Sequence, residues 1–175
     1  MPLNQTNEKE NNNMNSYIVN MGRRAGVIMH ISSLPGEHGI GDIGESAHAF
    51  VDALADMDLA VWQFLPLGPT AYGDSPYQPL SAFAGNANLI GLHQLVELGL
   101  LHEPELSALA GLPRDFCDYG KLIPAKRELL KMASSRLMAR RGSALMTEYE
   151  EFLHRNADWL EDYSLFRLLK TMHGE

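Results

Sequence analysis

The sequence predicts an α/β fold from three observations that follow one another along the chain. Residues 25–31 (AGVIMHI) and 61–66 (VWQFLP) are short apolar runs with β-branched and aromatic side chains, which is typical of buried strands. Between them, residues 45–57 (ESAHAFVDALADM) carry apolar side chains at helical spacing. Strand, helix and strand in this order form a βαβ unit, whose two strands are expected to be parallel with a right-handed crossover.

The composition is that of a globular protein of 175 residues, with 45% hydrophobic and 21% charged residues. The 14 basic and 22 acidic residues give a net charge of -8, and no basic stripe is present, so nucleic acid is not an expected partner. No apolar run is long enough to span a membrane, and no signal peptide is recognisable. The single cysteine, Cys117, and the absence of zinc-ligand spacing argue against a disulfide or a metal site. A cytoplasmic location without a membrane partner is therefore expected.

The chain divides into a polar leader and one organised region. Residues 1–20 are Asn-rich and aperiodic, which predicts a disordered leader because they cannot bury enough apolar surface to offset the entropy of ordering. The organised region covers residues 21–175, and its pattern becomes helical from about residue 93.

Three helices are predicted in the second half of the chain, over residues 93–101, 123–141 and 157–174. Gly99 stops the first, Pro124 lies near the first turn of the second, and Gly142 follows its end. Asn156 or Asp158 caps the third. The charged side chains of the second helix are expected on a solvated face.

Two loops, residues 32–44 and 67–86, follow the carboxyl ends of the predicted strands, where α/β proteins place their sites. The first contains GIGDIG, a formal match to a dinucleotide-binding fingerprint. The match fails in context because SSLPGEH separates it from the strand. Asp42 and Glu45 would also repel a pyrophosphate from the helix N-terminus. No nucleotide cofactor is expected.

The second loop collects aromatic and hydrogen-bonding side chains within seven residues: Tyr72, Asp74, Ser75, Tyr77 and Gln78. Flat aromatic faces beside short polar groups suit a sugar, whose C–H face stacks while its hydroxyls form hydrogen bonds. The alternative is structural, with both tyrosines closing the end of the sheet and Asp74 forming an Asx turn. Composition alone supports the sugar-binding and the structural interpretation equally.

Several long motifs resemble one enzyme family in fixed order. RRAGVIMHISSLPGEHGIGDIG, VWQFLPLGPT, YGDSPYQ and SAFAGN, followed by CDYGKLIPAKRELL and WLEDYSLFRLLK, are similar to the opening of the 4-alpha-glucanotransferases, also called amylomaltases or disproportionating enzymes, of glycoside hydrolase family 77. The resemblance covers about residues 22–175 and makes this chain similar to the N-terminal portion of such an enzyme.

The resemblance implies an incomplete (β/α)8 TIM barrel, with the first two βα units and part of a mostly helical insertion. A complete barrel takes about 250 residues. The resemblance also implies transfer of α-1,4-glucan segments between maltodextrins by a retaining double displacement that needs no cofactor. The family's catalytic carboxylates lie on later strands, so this chain alone is predicted to be inactive and to have the remainder of the enzyme as a partner. The alternative is a non-catalytic or vestigial glucan-binding module.

The resemblance also assigns roles in the second loop. It implies that Tyr77 lines the subsite for the transferred sugar, with Ser75, Asp74 and Gln78 as hydrogen-bonding or loop-shaping neighbours. Tyr72 matches a residue implicated in a second, non-catalytic glucan site.

Four further residues carry expectations of their own. Ile123 stands where some members of the family have the aromatic partner of that second glucan site. His30 is expected to be a buried, hydrogen-bonded structural residue rather than a proton shuttle. Trp62 and Trp159 are expected in the core rather than as sugar platforms.

Overall fold

A computed structural model describes residues 22–174 of the chain, so the predicted leader, 1–20, lies outside the described residues. Within residues 22–174 it contains two strands, β1 (Gly26–Ile28) and β2 (Val61–Gln63). The α-helices of the same range are α1 (Glu45–Asp56), α2 (Leu92–Glu97), α3 (Tyr119–Ala139), α4 (Ala144–Arg155) and α5 (Ala157–His173). No helix in this range is both long enough and apolar enough to cross a membrane.

The predicted βαβ unit is confirmed. β1 and β2 pair in parallel, with Val27 opposite Trp62 and α1 connecting the two strands. The amide of Met29 extends the ladder by donating to the Gln63 carbonyl at 2.9 Å. The Phe50 ring of α1 meets the Trp62 ring edge-on, with their centroids 5.0 Å apart. The aromatic contact explains how an amphipathic crossover helix covers one face of the strand pair.

The expectation that both strands are buried is wrong. Each strand is only three residues long, and neither contains a fully buried residue. Met29 and Trp62 pack against the core, whereas Ile28 is 69% exposed and Phe64 is 45% exposed. The reason is that each strand has a single strand neighbour in the described region, and α1 covers one face only.

The apolar core lies mainly in the helical half of the chain rather than in the sheet. Leucines from α2, from the connection after it and from α3 are its most deeply buried members: Leu92, Leu101, Leu109, Leu122 and Leu129. Ile31, Leu34 and Ile40 of the first loop complete the same cluster. Burial of a leucine side chain stabilises a fold by roughly 2 kcal/mol. The first loop is therefore anchored by the helices rather than by the strands.

Helix α3 begins one turn earlier than predicted. Asp118 is its N-cap, and the Asp118 carboxylate accepts a hydrogen bond from the Lys121 amide at 3.2 Å. Pro124 consequently lies in the second turn rather than the first, where it leaves the Gly120 carbonyl without its usual N–H donor. The side-chain cap offsets this loss because it satisfies one of the free amides at the start of the helix.

Helix α4 was not predicted from the sequence. None of its residues is fully buried, although apolar side chains recur along it at helical spacing, at Leu145, Tyr149 and Phe152. Its signal is the N-cap Ser143, which follows Gly142 and whose Oγ accepts from the Met146 amide at 3.2 Å. At the next helix, α5, the N-cap is Asn156, and Asp158 lies in the first turn.

Candidate functional site

The two loops at the carboxyl ends of the strands lie against each other, as expected from parallel pairing. The Ile43 amide, at the end of the first loop, donates to the Leu89 carbonyl, just beyond the second, at 2.8 Å. The second loop is closed at its base by a 2.7 Å bond from the Asn86 amide to the Leu67 carbonyl. Gly41 allows the first loop to fold back, since a Cβ there would lie 2.2 Å from the Ile31 carbonyl oxygen.

The second loop forms an ordered hairpin-like excursion, which we call the substrate loop (residues 67–86). Thr70 and Pro79 form an isolated antiparallel bridge, and the Leu80 amide donates to the Pro69 carbonyl at 2.8 Å. Its tip is a 3-10 turn, Tyr72–Asp74. Asp74 has a φ of 52°, a left-handed conformation that aspartate tolerates better than most residues. The loop geometry is thus defined by its own backbone.

All five predicted binding residues lie at or beside this tip. Tyr72 opens the turn, and Tyr77 is 69% exposed. The Tyr77 amide donates to Ser75 Oγ at 3.3 Å, and the Gln78 amide donates to the Ser75 carbonyl at 3.3 Å. With 69% of its surface exposed, Tyr77 does not close the end of the sheet within the described region. This exposure leaves the aromatic side chain of Tyr77 open to solvent, next to the hydroxyl of Ser75 and the amide of Gln78.

The start of α3 packs between the two loops. Burial raises the pKa of the Tyr119 hydroxyl, which hydrogen-bonds Ser32 of the first loop and lies near the Asp74 carboxylate of the substrate loop. The Cys117 thiol donates to the Ser32 carbonyl at 3.6 Å, and burial raises the pKa of this thiol. Both groups therefore remain protonated at neutral pH. Toward the first loop they act as neutral hydrogen-bonding partners rather than as nucleophiles.

A cleft of about 650 Å³ separates the substrate loop from α3 and α5. A volume of this order is typical of ligand sites. Its lining is mixed, with amide, hydroxyl, cationic and aromatic groups that include Asn86, Ser134, Arg127 and Tyr163. Ile123 also lines it, at the position where the resemblance leads one to expect an aromatic side chain. The cleft therefore offers hydrogen-bonding groups but lacks a stacking ring at this position.

The environment of His30 differs from the one expected from the sequence. It is half-buried at the end of β1, and its Nδ1 is buried without a hydrogen-bond partner among the described residues. The prediction of a hydrogen-bonded histidine is therefore wrong, because no donor or acceptor of the described region reaches this ring nitrogen. Burial lowers the pKa of His30, so the ring is neutral at pH 7.

The two tryptophans have different surroundings. Trp62 packs against the core, and its Nε1 donates to the Met29 carbonyl at 2.8 Å, as expected of a core residue. Trp159 of α5 is half-buried and stacks on Phe83, with the ring centroids 5.8 Å apart and the planes inclined by 27°. The expectation of a core position is thus wrong for Trp159, because its ring packs on the exposed Phe83 at the end of the substrate loop rather than in the apolar cluster.

Sequence reasoning also missed Lys126, which was expected on the solvated face of α3. Its side chain is 0% exposed, and Nζ donates to the Asn88 carbonyl at 2.7 Å. Burial lowers its pKa to about 8, an effect that the Asp42 carboxylate opposes. A signal was present, because Lys126 follows Leu122 by four residues and precedes Leu129 by three, which places it on the apolar side of the helix.

Within residues 22–174, no group of three or more histidine, cysteine, aspartate or glutamate side chains could hold a metal ion. The helix N-terminus of α1, which would have to receive a pyrophosphate, is occupied instead. The Asp42 carboxylate accepts a hydrogen bond from the Gly44 amide there. A carboxylate therefore occupies the position at the α1 N-terminus that a pyrophosphate would need, as Asp42 and Glu45 led us to expect.

A parallel strand pair with two ordered loops at its carboxyl end, one of which presents the exposed Tyr77 and borders a cleft of mixed lining, defines an α/β protein of the kind that places its site at strand ends. The comparison with known families makes the class specific. The family model of glycoside hydrolase family 77, described as 4-alpha-glucanotransferase, matches residues 29–175. The chain belongs to this family.

Individual relatives agree with the family match. The chain is 45% identical over 149 residues to the 4-alpha-glucanotransferase of Streptococcus pneumoniae, covering 85% of this chain and 29% of the relative. It is 43% identical over 154 residues to that of Thermus thermophilus, with 87% and 30% covered. It is similar to the amylomaltase from Streptococcus agalactiae in complex with acarbose, with a TM-score of 0.79 and 36% identity over 86% of this chain and 30% of that one. The chain therefore spans about 30% of the length of the relatives it matches.

Proposed function

We propose that this chain forms the N-terminal, glucan-binding part of a 4-alpha-glucanotransferase that transfers α-1,4-glucan segments between maltodextrins in the cytoplasm. The observation that carries the proposal is the family match over residues 29–175. The exposed side chain of Tyr77, next to the polar residues of the substrate loop, supports it, because such a surface suits a sugar. The related amylomaltase was solved with acarbose, an α-glucan-like oligosaccharide, which supports the same class of ligand here.

In this proposal the two strands and their loops begin a (β/α)8 barrel, and α2 to α5 form part of its helical insertion. The exposed apolar side chains of Ile28 and Phe64 support this assignment, since the interior of a complete barrel is filled by such residues. A retaining transfer needs a carboxylate nucleophile and a carboxylic acid about 5 to 5.5 Å apart. From the family resemblance both are expected on later strands, so in this proposal the residues of this chain bind and orient the glucan without carrying out the transfer.

The substrate loop provides the contacts in this proposal. The ring of Tyr77 stacks on a glucosyl residue, while Ser75, Gln78 and Asp74 offer hydrogen-bonding groups or hold the loop shape. Tyr72 belongs to a second glucan contact, which is weakened by Ile123 in the adjoining cleft. The alternative of a non-catalytic or vestigial glucan-binding module has no separate observation in its favour.

The proposal is tested by titrating the chain with maltoheptaose in a calorimeter and by incubating it with maltotriose. Binding without release of glucose or longer dextrins is expected. Tyr77→Ala is expected to weaken binding about tenfold, the effect of losing about 1.4 kcal/mol of stacking. Tyr77→Phe keeps the ring and is expected to bind nearly as well as the wild type.

Phe152→Ala, which removes an exposed aromatic ring from α4, is the matched control and is expected to leave binding unchanged. Equal affinity of the Tyr77→Ala variant and the wild type would reject the role of the loop. Formation of longer dextrins by this chain alone would contradict the placement of the catalytic carboxylates elsewhere.

A further inference from the structure

Lys126 occupies a position that apolar packing alone does not require. It lies on the buried side of α3 between Leu122 and Leu129, which are 0% and 1% exposed. Burying an ammonium group costs several kcal/mol, and an apolar side chain of similar volume often stabilises such a site better. A charged group buried among leucines needs a specific partner. Lys126 Nζ has one, because it donates a hydrogen bond to the Asn88 carbonyl at 2.7 Å.

Asn88 lies immediately after the base of the substrate loop. The Asn88 amide donates to Asn86 Oδ1 at 3.0 Å, and the Asn86 amide closes the loop on Leu67 at 2.7 Å. The next residue, Leu89, accepts the 2.8 Å bond from Ile43 at the end of the first loop. The hydrogen bond from Lys126 therefore reaches the short segment through which the two loops are connected.

The same ammonium faces ionisable groups of the first loop. The Asp42 carboxylate interacts with it electrostatically; burial raises the pKa of Asp42, and the charge on Lys126 lowers it. His38 also faces this cluster, and burial is the main cause of its lowered pKa, followed by His93 and, more weakly, Lys126. Lys126 thus interacts with a carboxylate of the first loop and a carbonyl next to the substrate loop from a third element, α3.

We propose that Lys126 is a positioning residue that holds the base of the substrate loop against the end of the first loop, and so maintains the loop orientation in which Tyr77 meets the glucan. It does not touch the substrate. The effect on glucan binding rests on the proposed function, whereas the effect on loop order does not.

The test compares hydrogen–deuterium exchange of the wild-type chain with that of Lys126→Met. Methionine fills the site with an apolar side chain but removes the donor to Asn88 and the charge facing Asp42. We expect at least tenfold faster exchange at the amides that join the loops, Ile43, Asn86 and Asn88, with unchanged exchange in α4. We also expect a melting temperature that is not lowered and a severalfold weaker affinity for maltoheptaose.

Lys121→Met is the matched control, because Lys121 lies on the same helix with a 76% exposed side chain. It is expected to leave loop exchange at the wild-type rate. Unchanged loop exchange in Lys126→Met, or faster exchange spread evenly over the whole chain, would overturn the proposal, since either result fits a purely structural lysine.

Failure of the proposed function is distinguishable from failure of this inference. If the wild type does not bind maltoheptaose, the exchange measurement still reports whether Lys126 orders the loops. If Lys126→Met does not fold, Asp42→Asn provides a second test, because it removes the facing charge and keeps the Asn88 bond. Faster exchange at the Asn86 and Asn88 amides in that variant supports the proposal, and wild-type exchange there overturns it.

Discussion

The burial of Lys126 links a single side chain to the pH dependence of the whole fold. Its pKa is lowered from 10.5 to about 8 because the folded chain removes the ammonium group from water. In the unfolded chain the ordinary value is regained, so between pH 8 and 10.5 the unfolded state binds more protons than the folded state. Stability therefore rises with pH through this window, the opposite of what a stabilised lysine ion pair would produce.

Comparison of the wild type with Lys126→Met isolates this effect. The free energy of unfolding of the wild type, relative to the variant, is expected to increase on going from pH 8 to 10.5, by up to about 3 kcal/mol. Urea unfolding at a series of pH values provides the measurement. Burial raises the pKa of Cys117 and of Tyr119 as well, but both groups are present in both proteins, so their contributions to the pH dependence cancel. A difference that does not vary with pH would contradict the burial of the charge.

At the scale of elements, two arginines at the end of α3 hold the segment that follows α2. The Arg136 guanidinium binds both carboxylate oxygens of Glu105, at 2.7 and 2.5 Å, and also donates to the Leu100 carbonyl at 3.1 Å. Arg140 donates to the Leu98 and Gly99 carbonyls, at 2.7 and 2.5 Å, which satisfies free acceptors at the C-terminus of α2. Side-chain pairing therefore stabilises a helix of only six residues.

The ion pair of Arg136 and Glu105 predicts how stability changes in acid. The hydrogen bonds from Arg136, together with one from the His102 amide, lower the pKa of Glu105 from 4.5 to about 2. The stabilisation is thus complete above pH 4.5 and is lost as the pH falls from there to about 2. Glu105→Gln is expected to lower the melting temperature by a few degrees at pH 6.5 and to match the wild type near pH 2.

Glu128→Gln serves as the comparison in thermal denaturation followed by circular dichroism. Glu128 pairs with Lys131 on the exposed side of α3, and exposed pairs of this kind contribute little. It is expected to leave the melting temperature nearly unchanged at every pH. A gap between wild type and Glu105→Gln that persisted at pH 2 would show that the charge of Glu105 is not its source.

At the scale of the whole molecule, apolar surface remains exposed on two sides of the described region. On the sheet, Ile28 is 69% and Phe64 is 45% exposed. On α5, Leu165, Leu168 and Met172 are 55%, 57% and 70% exposed. Exposed apolar faces and unpaired strand edges promote association, even though the net charge of -8 opposes it.

We therefore expect the isolated chain to self-associate as its concentration rises. Replacing both Ile28 and Phe64 by threonine puts a residue of good strand propensity at each position and removes apolar surface, so association is expected to decrease several-fold by light scattering. Val51→Thr with Met57→Thr, two exposed residues at α1, is the matched control and is expected to associate like the wild type. A monomer at all concentrations would contradict this interpretation of the exposed faces.

Local patterns in the sequence were sufficient for the parallel strand pair, for the crossover helix and for the two loops at the strand ends. The reason is that the periods of strands and helices, and the effect of glycine at Gly99 and Gly174, depend on neighbouring residues along the chain. The motifs of the substrate loop were likewise contiguous, so the family could be recognised from them.

Contacts between distant segments produced the remaining features. Lys126 is buried because Asn88 and the first loop close over one face of α3, and a helical pattern cannot show which elements cover that face. The exposure of Ile28 and the unpaired Nδ1 of His30 depend in the same way on what packs across the strands. Burial is a property of the assembled surfaces, so it followed only from the arrangement of these segments in space.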